Sequence, residues 1–221
     1  MNFKYQIIDT GDGSKTIYLP HLDETYHSHH GALKEARHIF VEAGLHAQKK
    51  EEIAVLEIGF GTGLNAIVTI ENSKNRKIQY DGIELFPLSK ELIDVLGYKS
   101  LLDSSLGDFY DGLHAADWNM YVTIKDGFEL RKIEVDFTTY EFSRKYDLIY
   151  FDAFAPNKQE EMWTVDLFER LYQACNDGAI LVTYCVKGVV KRALKEVGFE
   201  IEKLPGPKGG KREMLRAWKR A

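Results

Sequence analysis

The stretch Ile53-Ala-Val-Leu-Glu57-Ile-Gly59-Phe-Gly61-Thr-Gly63 decides how this chain folds. Its opening residues, Glu57 aside, are apolar, a pattern that suits a short strand buried on both faces. Gly59 and Gly61 allow a tight turn and a close approach of a ligand to the backbone. From Leu64 to Glu71 the apolar spacing becomes helical, and free amides at a helix start attract an anion.

Outward from this unit the alternation continues. Ile78 to Glu84, Lys132 to Asp136, Tyr146 to Asp152, Ala179 to Tyr184 and Phe199 to Lys203 read as strands, with Glu213 to Lys219 closing the sheet. Val165 to Cys175 and Val189 to Val197 read as helices. The pattern predicts an α/β, Rossmann-like fold: a mostly parallel central sheet with helices on both faces. Asp126-Gly127, between two alternating runs from Tyr121 to Val135, predicts an inserted β-hairpin whose second arm is the third core strand.

Residues 1–50 read as an N-terminal extension of a single domain whose core is 51–221. Two alternating runs, Phe3 to Asp9 and Lys15 to Leu19, flank Gly11-Asp12-Gly13 as a hairpin. A loop follows from Pro20 to Gly31, then a helix from Ala32 that Gly44 terminates.

A length of 221 residues with 44% apolar content suffices for one ordinary core and excludes a disordered chain. Two cysteines, Cys175 and Cys185, are too few for a disulfide scaffold, and no metal site is expected: His27, His29 and His30 form no i,i+4 pair. With no leader-like start and no long apolar run, the expected location is the cytoplasm, without a membrane partner. The net charge of −5 conceals an asymmetry: from Lys187 onward there are 11 Lys/Arg against 4 Asp/Glu, and before it 18 against 30. A basic C-terminal segment, with Lys187, Lys191, Lys208, Lys211 and Arg212, follows an acidic body and offers phosphate contacts.

The glycine loop admits two readings. A dinucleotide fingerprint, GxGxxG, needs its last glycine where Leu64 stands, which weakens it. The alternative, an acid two places before GxGxG, resembles motif I of class I S-adenosylmethionine-dependent methyltransferases, matched by Glu57, Gly59, Gly61 and Gly63. The resemblance implies that Glu57 lies beneath the cofactor while Gly59, Phe60, Gly61, Gly63 and Asn65 surround it. Glu84 ends the second strand, where a carboxylate accepts both hydroxyls of a ribose. The resemblance puts Asp136 at the adenine amino group.

Asp152-Ala-Phe154-Ala-Pro-Asn-Lys158, followed by Met162-Trp163, narrows the likeness. With Asp23-Glu-Thr-Tyr26-His-Ser28, Gly31 to Glu35, Glu84-Leu-Phe-Pro87 and Gly206 to Arg212, it resembles the methyltransferase-domain family of MnmC and its stand-alone form MnmD. That resemblance implies N-methylation of the 5-aminomethyl group on the wobble uridine of transfer RNA (position 34 in the anticodon). It also implies a link to the enzymes that install that group, and no room here for the family's flavin oxidase domain. Asp152 is the expected catalytic residue, with Tyr26, Ser28, Glu35, Phe154, Lys158, Trp163, Lys211 and Arg212 at the substrate.

Two other enzyme readings and one binding reading compete. A small-molecule N-methyltransferase or an aminopropyltransferase uses the same fold; the latter is expected to carry a second acid just after the fourth-strand Asp, where Ala153, Phe154, Ala155 and Pro156 stand. A non-catalytic RNA-binding relative is the third, set against an intact motif I, Glu84 and Asp152.

Overall fold

The computed structural model describes residues 4–210 and 212–220, so the expectation for Lys211 and the Phe3 start of the first run lie outside the described residues. A small antiparallel sheet of β1 (Gln6–Asp9), β2 (Lys15–Leu19) and β3 (Glu24–Thr25) comes first. Helix α1 (Ala32–Ala36) widens into a π-helical stretch, Arg37–Leu45. The core follows with β4 (Glu52–Ile58), α2 (Leu64–Asn72), β5 (Lys77–Glu84), α3 (Lys90–Leu96) and α4 (Ser104–Ala115). Then come β6 (Tyr121–Lys125), β7 (Phe128–Glu134), β8 (Tyr146–Phe151) and α5 (Val165–Gln173). The chain closes with β9 (Cys175–Thr183), α6 (Gly188–Glu196), β10 (Glu200–Pro205) and β11 (Glu213–Trp218).

The central sheet runs β10-β11-β9-β8-β4-β5-β7-β6. Strands β9, β8, β4, β5 and β7 are parallel; β6, β11 and β10 join antiparallel at the edges. The hairpin arm β7 is the third core strand, as its Asp-Gly turn predicts. The chain passes to opposite sides of β4 for β5 and β8, so the sheet's switch point opens beside the Gly59 turn, where ligands of such sheets bind.

Alternation along β4 explains the two layers. Ile53 and Val55 enter a cluster with Phe40, Ile67 and Tyr80, whereas Ala54, Leu56 and Ile58 enter another with Phe151, Phe168 and Leu194. The helices thus lie on both faces, each apolar stripe covering one side of the sheet.

The structure corrects several expectations. Gly44 does not end its helix: it is buried within the π-helical stretch, where an added Cβ would meet Val182, Leu148 and Tyr150 at 3.2–3.3 Å, so the helix passes close over β8 and β9. The third strand ends at Glu134, two residues before Asp136, whose side chain instead caps a short 3₁₀ turn by accepting from the Thr138 amide at 2.8 Å. The helix expected to reach Cys175 ends at Gln173, because Cys175 already pairs with Tyr146 in the sheet. Helices α3 and α4, absent from the sequence reading, carry ordinary signals: Ser89 accepts from the Leu92 amide, and Gly97 stops α3 in the left-handed region.

Candidate active site

Four strand ends, those of β4, β5, β7 and β8, converge on a crevice of about 650 Å³. Among the residues lining it are Tyr26, Gly59, Gly61, Asn65, Glu84, Asp136, Asp152 and Phe154, brought together from distant parts of the chain. The N-terminal sheet forms one wall through Ile17, Leu19, Tyr26 and His27.

The glycine turn is built for contact. The Gly59 and Phe60 amides both donate to the Ile83 carbonyl at 3.0 and 2.9 Å, folding the turn over β5. Gly59 has φ +89°, and a Cβ there would stand 2.8 Å from the Asp152 carbonyl oxygen, so only glycine lets the two strand ends approach. Gly61 turns its amide to Glu84 Oε2 at 2.9 Å, while Glu84 Oε1 accepts from the Phe86 amide at 2.9 Å. Glu84 is thereby aimed by backbone, although burial still raises its pKa above the ordinary carboxylate range.

Beneath the turn lies a buried polar relay. Tyr80 donates its hydroxyl to Glu57 at 2.8 Å, and Asn65 Nδ2 donates both to Glu57 at 2.8 Å and to Asp152 at 2.9 Å. Glu57 is wholly buried, and desolvation holds its carboxyl far above the usual range; the charges of Asp152 and Glu84 act in the same direction. Asn65 is 2% exposed, and its Oδ1 has no hydrogen-bond partner. A buried acceptor left unmatched beside a crevice fits a ligand that brings a hydrogen-bond donor, such as an amino group.

The other expected residues divide between the lining and positions behind or away from it. Trp163 is buried between Phe151 and Phe168 and donates Nε1 to the Phe154 carbonyl at 2.8 Å; it supports the wall rather than lining it. Ser28 and Glu35 also stand back from the crevice, the Ser28 amide donating to Glu35 Oε2 at 3.0 Å to hold the loop ahead of α1. Lys158 lies 4.0 Å from Asp23, away from the lining. Gly63 opens α2 beneath Phe60 and His114, with φ +69°. Phe60 lines the crevice from a buried position, packed over Gly82, whose missing side chain makes room for its ring. Arg212 is exposed on the loop between β10 and β11.

Sequence reasoning singled out neither His27 nor Thr62 as a wall residue. His27 Nε2 lies 2.7 Å from the Thr62 hydroxyl, and burial pushes its pKa down to about 4, so the imidazole is neutral. Its signal, a histidine beside Tyr26, acquires meaning only when the N-terminal sheet folds against the glycine turn. Among the described residues, no group of three or more His, Cys, Asp or Glu is placed to hold a metal ion. Nor, among them, is any helix long and apolar enough to cross a membrane.

Comparison with known proteins agrees with this geometry. An S-adenosyl-L-methionine-dependent methyltransferase family matches residues 115–220. The tRNA 5-methylaminomethyl-2-thiouridine biosynthesis bifunctional protein MnmC of Cupriavidus metallidurans is 32% identical over 90% of the chain. The chain spans about a third of the length of the curated relatives it matches. The crystal structure of MnmC2 from Aquifex aeolicus superposes with a TM-score of 0.76 at 23% identity, covering 100% of this chain and 72% of that one. Spermidine synthase from Thermotoga maritima shares the fold more distantly, with a TM-score of 0.58 at 12% identity, over 99% of this chain and 80% of that one. With a glycine turn, a strand-end carboxylate on each side and these matches, the chain belongs to the S-adenosyl-L-methionine-dependent methyltransferase family represented by the methyltransferase domain of MnmC.

Proposed function

We propose that this protein methylates the 5-aminomethyl group of the wobble uridine in transfer RNA, in the cytoplasm, downstream of the enzymes that install that group. The observation that carries this reading is Asp152 at the end of β8, on the crevice and fixed by Asn65 at 2.9 Å. When bound, S-adenosyl-L-methionine supplies a methyl group on a positively charged sulfur. Glu84 would hold its ribose through the carboxylate, the Gly59 to Gly61 backbone would meet the methionine portion, and Asp136 would receive the adenine amino group.

Asp152 cannot act simply as the base. A carboxylate with pKa near 3.9 and an alkylammonium near 10.4 are separated by roughly 9 kcal/mol of proton-transfer free energy in water. Asp152 instead orients the neutral amine so that its lone pair lies in line with the methyl group. As the nitrogen–carbon bond forms and the carbon–sulfur bond breaks, positive charge leaves sulfur and appears on nitrogen, where the carboxylate stabilises it. The proton then leaves the secondary ammonium to water. Tyr26 and Phe154, edge to face with ring centroids 5.4 Å apart, supply an aromatic wall for the base that carries the amine.

The deciding experiment incubates aminomethyl-bearing transfer RNA with the protein and S-adenosyl-L-methionine and follows wobble nucleosides by mass spectrometry. One added methyl on the aminomethyl nitrogen is expected. Transfer to a polyamine or another free amine, with the nucleoside unchanged, would replace this reading with that of a small-molecule enzyme.

A further inference from the structure

Strand β8 ends at Phe151; the Asp152 amide still donates to the Ile58 carbonyl of β4 at 3.0 Å, and Ala153 and Phe154 then leave the ladder while still forming the crevice wall. Backbone groups that leave a ladder into a partly buried loop need other partners. Here they find side chains from separate places in the chain. Tyr184, just beyond β9, donates its hydroxyl to the Ala153 carbonyl at 2.8 Å. The Phe154 amide donates to Gln159 Oε1 at 3.0 Å, and the Phe154 carbonyl accepts from Trp163 Nε1 at 2.8 Å. Three consecutive backbone polar groups after the acid are therefore held by three different side chains.

Two of those anchors are rooted in the core. The Trp163 ring lies 4.8 Å from that of Phe151, and Tyr184 packs against the apolar clusters on both faces of the sheet. Neither belongs to the crevice lining. Both are supports outside the lining, and Trp163, expected at the substrate, stands behind the wall with its indole on the Phe154 carbonyl.

We propose that Tyr184 and Trp163 are positioning residues for methyl transfer: by gripping the Ala153 and Phe154 carbonyls they fix the loop that presents Asp152 to the incoming amine. This rests on the methyltransfer reading above. Loss of one grip lets the loop relax while Glu84 and the glycine turn stay in place, so turnover suffers and donor binding does not.

Tyr184→Phe keeps the ring and removes the bond. With aminomethyl-bearing transfer RNA, kcat is expected to fall roughly tenfold to a hundredfold, the effect of a misplacement of about an ångström. KM for the RNA and calorimetric affinity for S-adenosyl-L-methionine should be unchanged, and in the protein alone the Phe154 amide should exchange hydrogen faster. Trp163→Phe, which removes the second grip, should reproduce the split and serves if Tyr184→Phe does not fold. Wild-type kcat in a variant, or an unchanged Phe154 exchange rate, overturns the proposal. An inert wild type would overturn the substrate reading, with the exchange rates still judging the loop.

Discussion

On one side of the crevice Glu84 is aimed by the backbone amides of Gly61 and Phe86; on the other, Asp152 is aimed by a side chain, Asn65, and its loop by Tyr184, Trp163 and Gln159. The first arrangement is local, since a turn of glycines delivers amides to whatever strand end lies beside it. The second draws on residues from α2, the 3₁₀ turn after the loop and the end of β9. On the proposed function, a cofactor common to many enzymes would be met by backbone, and the part of the site that must suit one amine would be set by side chains that can change independently.

Asp152→Ala offers the hardest blow to that division of labour. If Asp152 stabilises the developing ammonium as proposed, its removal should lower kcat by roughly a thousandfold. Calorimetric affinity for S-adenosyl-L-methionine should stay close to wild type, and Asp152→Asn should recover part of the turnover by keeping an acceptor oxygen. Equal loss of donor affinity would mean that the two sides are one unit.

The reciprocal change is Glu84→Ala. Hydrogen bonds to a charged group are worth about 1.5–3 kcal/mol each, so losing the pair to both ribose hydroxyls should weaken donor affinity by roughly a hundredfold or more. Turnover at saturating donor should change far less. If titrations with S-adenosyl-L-methionine give the wild-type dissociation constant, the ribose assignment fails.

Legibility in the sequence follows the same line. Strands β4 and β8 announce themselves because burial on both faces demands mostly apolar runs, whereas β5 is more mixed, and the acids Glu84, ending β5, and Asp152, just after β8, stand out against them. Asp136 is misplaced by two residues because β7 carries polar residues along a partly exposed arm and pairs in a register that only β5 fixes. The support role of Trp163 could not be read, since an indole beside a motif looks the same whether it faces a ligand or a carbonyl. Nor does any local pattern reveal that Asn65, on the first turn of α2, bridges two carboxyl groups. Helices α3 and α4 differ: α3 carries a Ser89 cap and a Gly97 stop, whereas no side chain caps α4, and both lie outside the motifs at the site.

A smaller effect comes from the wall that joins both sides. His27 and His114 are each pushed down to about 4, chiefly by burial. A folded-state pKa below the unfolded value near 6.5 means that the unfolded chain takes up protons first as pH falls. Stability from the two rings is therefore complete above about 6.5 and is lost progressively toward about 4. Glu57, with its pKa raised, works oppositely: its stabilising contribution is present below the unfolded carboxylate pKa and fades as pH rises through its folded value. Urea midpoints across this range should show His27→Gln flattening the acid limb and Glu57→Gln flattening the rise-and-loss on the other. Parallel curves for wild type and His27→Gln would mean that the His27 ring titrates as it does in water.

The least costly substitutions lie outside the crevice lining. Lys208 and Arg212 are exposed on the loop between β10 and β11, and Lys187 donates to Asn157 in the loop from Asp152 to Lys158, which places one basic residue beside the loop that carries Asp152. Phosphate contacts add affinity without sequence information, and each one lost reduces the dependence of log affinity on log salt by roughly 0.7–1. Lys208→Ala and Arg212→Ala should therefore raise KM for transfer RNA a few-fold at moderate salt and flatten its salt dependence, leaving kcat and donor affinity untouched. If the salt slope is unaltered while KM rises, these side chains shape the loop instead of meeting the RNA backbone, and recognition must come from the aromatic wall around Phe154. In that case the acceptor side would choose its substrate by the base that carries the amine, with the rest of the RNA contributing little.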